Sequence, residues 1–239
     1  MSINWFISRV LIGAALAAPS IFASTVTTFQ STSSFDSNAV NVKAVFTATG
    51  NGLMSVTLFN LSNIDKDTQV LTGVYFTYAG ESTVNSAVGQ TGNPTFNISS
   101  SNNLTATGSN SSKWNATTAT VSGVGYDVLT NLNPTNGGCG GCEGILGSGT
   151  GSSTNTSLAN HNPYLVSDSD GVTFTVSGLS GLTANTAITG AYFNFGTALG
   201  QKGALANTAV LTATPEPGTI SLALGGAALL LFARRRKSA

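Results

Sequence analysis

Cys139-Gly140-Gly141-Cys142 holds the two cysteines of the chain. Thiols at this spacing close as a tight disulfide in an oxidising compartment, or serve as a redox pair where a helix starts after a strand. The neighbours here are Asn136-Gly137-Gly138 and Glu143-Gly144, a glycine-rich loop that favours the structural disulfide. Redox, metal-bound and free thiols stay open. A zinc site needs two more ligands, and His161 is the one histidine. Asp168-Ser169-Asp170-Gly171 sets carboxylates two apart ahead of a glycine, as at the start of a calcium loop. Thr173 and Val176 then stand where further oxygen ligands and a late glutamate are wanted. Calcium at Asp168 and Asp170 is therefore the weaker reading, and an Asx turn entering a strand the stronger. No metal and no cofactor are assigned.

Hydrolytic chemistry finds little support. No Gly-x-Ser-x-Gly elbow accompanies His161, and His161-Asn162-Pro163-Tyr164 reads as a turn. The acids of the chain leave a glycosidase pair open, but none sits in a distinctive motif. Asp65-Lys66-Asp67 reads as a solvated turn. Asn-x-Ser/Thr triplets such as Asn97-Ile98-Ser99 follow by chance from a chain rich in those residues.

Composition sets the frame for these residues. Hydrophobic residues make up 41% of the 239, but charged ones only 8%, against about 25% in an average soluble domain. Ser, Thr, Asn and 28 Gly fill the polar positions. Arg9 and the run Arg234-Arg235-Arg236-Lys237 hold most of the basic charge. Between residues 24 and 214 four lysines face eight acids, with no arginine. An acidic body without clustered Lys and Arg is a poor nucleic-acid binder, so nucleic acid is excluded as a partner.

The middle of the chain reads as all-β. Val40 to Ala48 alternates with the two-residue period of a half-buried strand, as does Met54 to Phe59. Gly50-Asn51-Gly52 lies between them, a strong hairpin signal because Asn-Gly tolerates positive φ. Further strands are expected over Val70–Ala79, Thr117–Ser122, Gly171–Ser177, Ile188–Phe195 and Leu205–Ala213. Helical periodicity is confined to the two ends. Residues 80–170 read as strands joined by long loops, with Trp114 and Tyr126 as isolated anchors. Leu71-Thr72-Gly73-Val74-Tyr75-Phe76-Thr77-Tyr78 echoes Ile188-Thr189-Gly190-Ala191-Tyr192-Phe193-Asn194-Phe195. Two copies do not make a solenoid, and the reading is a pair of equivalent strands in two sheets. The expected architecture is a β-sandwich-like body between an N-terminal signal helix and a C-terminal transmembrane helix.

The two ends are addresses. Residues 1–23 read as a secretory signal: Arg9, the apolar Val10 to Ala18, and a cut between Ala23 and Ser24. Residues 24–214 are the extracellular body. Residues 215–239 begin with Pro215-Glu216-Pro217, continue in an apolar run to Ala233, and end in the basic cluster Arg234, Arg235, Arg236 and Lys237. That run spans about 24 Å as helix, short for a hydrocarbon core of about 30 Å. The basic cluster acts as a membrane stop that stays cytoplasmic, leaving the body outside. Prolines ahead of the membrane keep the chain extended, which suits a protease that reads strand-like substrate.

This tail resembles the PEP-CTERM sorting signal of Gram-negative bacteria, with Pro215, Glu216 and Pro217 as its signature. The resemblance covers about the last 25 residues. It implies export through the secretion machinery, transient residence in the inner membrane, and cutting near Pro-Glu-Pro by an exosortase, a membrane cysteine protease. The family occurs in bacteria that make exopolysaccharide and biofilm. Three body segments are also similar to one subset of exosortase-dependent surface proteins, a group without an assigned molecular activity: Thr57-Leu58-Phe59-Asn60-Leu61-Ser62, Val70 to Phe76, and Ala191 to Leu199. The expected function is a non-enzymatic surface or matrix protein, with exopolysaccharide as the candidate partner and Trp114 as a residue that stacks on sugar faces. A secreted glycan-active enzyme and an adhesin for other surfaces are the alternatives.

Overall fold

The computed structural model describes residues 24–35, 38–62, 69–80, 88–90, 93–99, 103–110, 113–121, 124–131, 143–147, 158, 162–196, 202–205 and 208–213. Residues 24–214 form a compact unit of their own. The described strands run in the order β1 (Thr25–Phe35), β2 (Asn38–Gly50), β3 (Leu53–Asn60), β4 (Leu71–Tyr78), β5 (Val88–Gln90), β6 (Pro94–Ile98), β7 (Leu104–Asn110) and β8 (Asn115–Val121). They continue through β9 (Val124–Thr130), β10 (Ile145–Gly147), β11 (Leu165–Ser167), β12 (Val172–Val176), β13 (Ile188–Phe195), β14 (Lys202–Leu205) and β15 (Thr208–Ala213).

Two sheets share one core. The first has the order β15-β1-β2-β3-β12-β5. The second runs β11-β10-β4-β13-β14, with β9 also on β4 and β8 on β9. Alternation places Val42, Ala44 and Phe46 of β2, Val56 and Leu58 of β3, and Phe174 of β12 inward from the first sheet. Val74 and Phe76 of β4, Leu129 of β9 and Phe193 of β13 meet them from the second. Phe46 and Phe76 touch across the layers, ring centroids 5.4 Å apart. The hairpin β2–β3 turns at Asn51 (φ 55°) and Gly52 (φ 70°), as Asn-Gly predicts.

Hydrogen bonds close both ends of the sandwich, at the hairpin tip together with two buried leucines. At the hairpin tip, the segment after β12 folds back and buries Leu179 and Leu182. Leu179 N–H donates to Gly52 O, and Gly52 N–H to Leu182 O. The Tyr78 hydroxyl donates to Ser180 O at 3.0 Å. At the other end stands Asn60, 1% exposed. Its Nδ2 donates to Gln69 O (2.9 Å) and to Ile145 O (3.0 Å), tying the first sheet to the second. Its backbone N–H donates to Ser167 Oγ at 3.1 Å, and its Oδ1 accepts from Ser62 N–H. Gly147 passes so close that a Cβ there would press on the carbonyls of Asn60 and Ser62.

Two expectations need correction, and one strand was not foreseen. The echoing segments are not equivalents in two sheets: they are β4 and β13, antiparallel neighbours in one sheet, with Tyr75 opposite Tyr192. Leu205–Ala213 is not one strand. It divides between β14 on β13 and β15 on β1, in different sheets. The Ser/Thr-rich start of the body forms a long strand, β1, whose inward positions are Thr27, Phe29 and Ser31.

Asn60→Ala leaves the carbonyls of Gln69 and Ile145 buried without that donor. It is expected to lower unfolding stability by about 2–4 kcal/mol, measured by denaturant titration. A loss under about 0.5 kcal/mol, the level of an ordinary surface change, would show that the amide does not tie the sheets.

Candidate functional site

The turn between β11 and β12 carries the chain from one sheet to the other. Its sequence is Asp168-Ser169-Asp170-Gly171. Asp170 N–H donates to Asp168 Oδ1 at 2.9 Å, and Gly171 N–H to Asp168 O. This is the Asx turn expected from the spacing. Gly171 has φ 72°, and a Cβ there would meet Phe59 at 2.7 Å and Thr57 at 2.8 Å. The glycine is thus required both by its left-handed backbone and by close packing.

The hairpin β6–β7 lies beside this turn and is fastened by backbone-like pairing. Asn162 acts as a surrogate strand residue: Nδ2 donates to Ile98 O (2.9 Å) and Oδ1 accepts from Ile98 N–H (2.8 Å). Phe96 and Tyr164 exchange both backbone hydrogen bonds at 2.8 Å. A small second core of Val70, Ile98, Leu146, Leu158 and Tyr164 packs beneath the hairpin, with Leu104 against it. The Tyr164 hydroxyl is satisfied by Leu158 O at 2.7 Å.

Turn and hairpin enclose a cleft of about 220 Å³. Pro94, Phe96, Leu165, Val166 and Val172 give it apolar walls. Asn93, Asp168 and Asp170 supply its polar groups. Asp168 and Asp170 are exposed and Phe96 is half-buried. Asn93 is oriented by a hydrogen bond from its Nδ2 to Thr173 O at 2.9 Å. The arrangement offers carboxylate and amide groups beside one aromatic ring. Asp168 and Asp170 were legible in the sequence; Asn93 and Phe96 were not, because long-range contacts bring them there: Asn162 with Ile98, Phe96 with Tyr164, and Asn93 with Thr173. Among the described residues no group of three or more His, Cys, Asp and Glu could hold a metal ion.

Trp114 does not serve as a sugar-stacking surface. It is 3% exposed, its ring lies 4.7 Å from that of Phe174, and its Nε1–H donates to Glu143 O at 2.8 Å. An indole with a satisfied N–H fits a core. A second aromatic group lies on the opposite face of β4: Tyr75 meets Tyr126 at 6.2 Å and Tyr192 at 5.4 Å, both edge to face. Cys139, Cys142, His161, Asp65, Asp67, Ala23, Pro215 to Pro217 and Arg234 to Lys237 lie outside the described residues. Ser24 is described, immediately ahead of β1.

The described body is thus an all-β protein with a small mixed cleft at one end of its two-sheet core. Residues 213–237 match the PEP-CTERM protein-sorting motif. The chain therefore carries an exosortase-directed sorting tail, the mark of a protein exported to the cell envelope or surface through a membrane-anchored C-terminal step. No curated protein and no solved structure matches the chain.

Burial first, and the neighbouring Tyr126 second, hold the Tyr192 phenol above its ordinary value of 10.0. The fold therefore favours the neutral phenol. This stabilisation is complete below about pH 10 and is lost as pH rises through the folded-state value. Absorbance titration of the phenols is expected to show Tyr192 ionising late, and earlier in Tyr126→Phe. An unchanged titration in that variant would remove Tyr126 as a cause.

Proposed function

We propose that the body is a non-enzymatic element of the cell surface or extracellular matrix, and that its partner is the exopolysaccharide around the cell. The observation that carries this reading is the chemistry of the surface. From Thr105 to Asn110, β7 is exposed at every position and bears Thr, Ala, Gly, Ser and Asn but no charge. On the outer face of the first sheet the hydroxyls of Thr57 and Thr173 meet at 2.8 Å, and Gln30 Nε2 donates to Asn41 Oδ1 at 3.1 Å. Hydroxyls and amides exchange hydrogen bonds with a hydrated glycan without counterion release, so the contact is weak, multivalent and insensitive to salt. The signal peptide and the transmembrane anchor read from the sequence belong to the same proposal, since a sorting tail acts on a chain already in the export route.

The test is retention of the native protein on polysaccharide from the cells that make it, at low and at high salt. Equal retention at both is expected. No retention at either would refute the glycan partner, and retention lost at high salt would point to charge instead.

One observation favours a second reading, a glycan-active enzyme: Asp168 and Asp170 share the cleft. It predicts turnover of polysaccharide by the native protein that Asp168→Asn or Asp170→Asn abolishes. Absence of turnover across a panel of polysaccharides would dismiss it.

A further inference from the structure

Resting on the glycan reading above, we propose that the cleft between the β6–β7 hairpin and the Asp168–Gly171 turn is the binding subsite, and that it takes one neutral sugar residue of the polysaccharide. Size is the first argument. At about 220 Å³ the cleft falls below the roughly 300–1,000 Å³ of pockets for drug-sized ligands, which leaves room for a single pyranose ring. Lining is the second. A pyranose presents a patch of C–H groups on its faces and hydroxyls around its edge. The cleft matches both, with Phe96 and Pro94 for the C–H face, and Asp168, Asp170 and Asn93 for the hydroxyl edge.

Carboxylates accept hydrogen bonds from sugar hydroxyls as charge-assisted contacts, which are stronger than neutral ones. A divalent cation is the poorer occupant. Calcium takes six to eight oxygen ligands, and the cleft has two carboxylates, one of which already accepts Asp170 N–H. Position is the third argument. The uncharged, exposed run Thr105–Asn110 of β7 is paired with β6, which forms one wall, so a glycan that extends from the cleft across the hairpin meets a hydroxyl- and amide-rich strand next to that wall.

The experiment titrates the native protein with glucose, galactose, mannose and N-acetylglucosamine, and with short β-linked oligomers of each, followed by backbone-amide NMR. Shifts centred on residues 93–96 and 168–172 are expected for at least one sugar. Asp170→Asn keeps the turn, because Asp170 enters it through its backbone N–H; it should weaken that sugar about ten-fold or more. Phe96→Ala should do the same while Tyr192→Ala, on the opposite face of the second sheet, leaves binding unchanged. Shifts centred on Tyr126 and Tyr192, or no shift with any sugar, would overturn the subsite. If the polysaccharide is still retained in that case, the glycan reading stands and only its placement falls. If retention is also absent, both fall.

Discussion

The amide of Asn60 is the constraint on which the arrangement of this molecule depends. Two sheets can slide over a shared apolar core, because apolar contact is not directional. Hydrogen bonds from a buried side chain of one layer to backbone carbonyls of the other fix their offset. Asn60 ends a strand of the first sheet and gives both amide hydrogens to backbone that leads into the second. Its own backbone pairs with Ser167, the residue before the Asp168 turn. The position of the cleft wall thus follows from the same residue that sets the layers. Every group in this closure has a partner, which is the condition under which a buried polar network stabilises rather than penalises a fold.

The body is arranged to stand without its addresses. Its first and last strands, β1 and β15, are antiparallel neighbours, and Thr25 lies opposite Ala213. Removing the residues before Ser24 and after Thr214 removes none of that pairing. A protein that is exported, held by a tail and then cut needs ends that do not fray once cut, and pairing them to each other along one sheet provides this.

Much of the fold was legible because its hydrophobic residues alternate. Val40 to Ala48, Met54 to Phe59 and Ile188 to Phe195 read as strands, and Gly50-Asn51-Gly52 as their turn. β1 was hidden because two of its inward positions are Thr27 and Ser31, so its sequence shows no alternation of hydropathy. Which sheet a strand joins was not legible. The pairing of β4 with β13, or the division of Leu205–Ala213 between two sheets, depends on contacts between distant parts of the chain. The same reason hid half of the cleft: Asp168 and Asp170 announce a turn locally, while Phe96 arrives through a hairpin fastened by Asn162. Trp114 misled for a simpler cause. A large aromatic in a polar stretch reads as a surface anchor, and only the carbonyl of Glu143 shows that its N–H is satisfied inside.

We propose that this chain is made to be cut, leaving a self-contained β-sandwich as the working protein. Intact mass spectrometry of the native protein, taken from the cell surface, the medium and the inner membrane, tests it most directly. A chain in the surface and medium fractions that begins near Ser24 and ends near Pro215 is expected. A protein found in the inner membrane and still ending at Ala239 would contradict it.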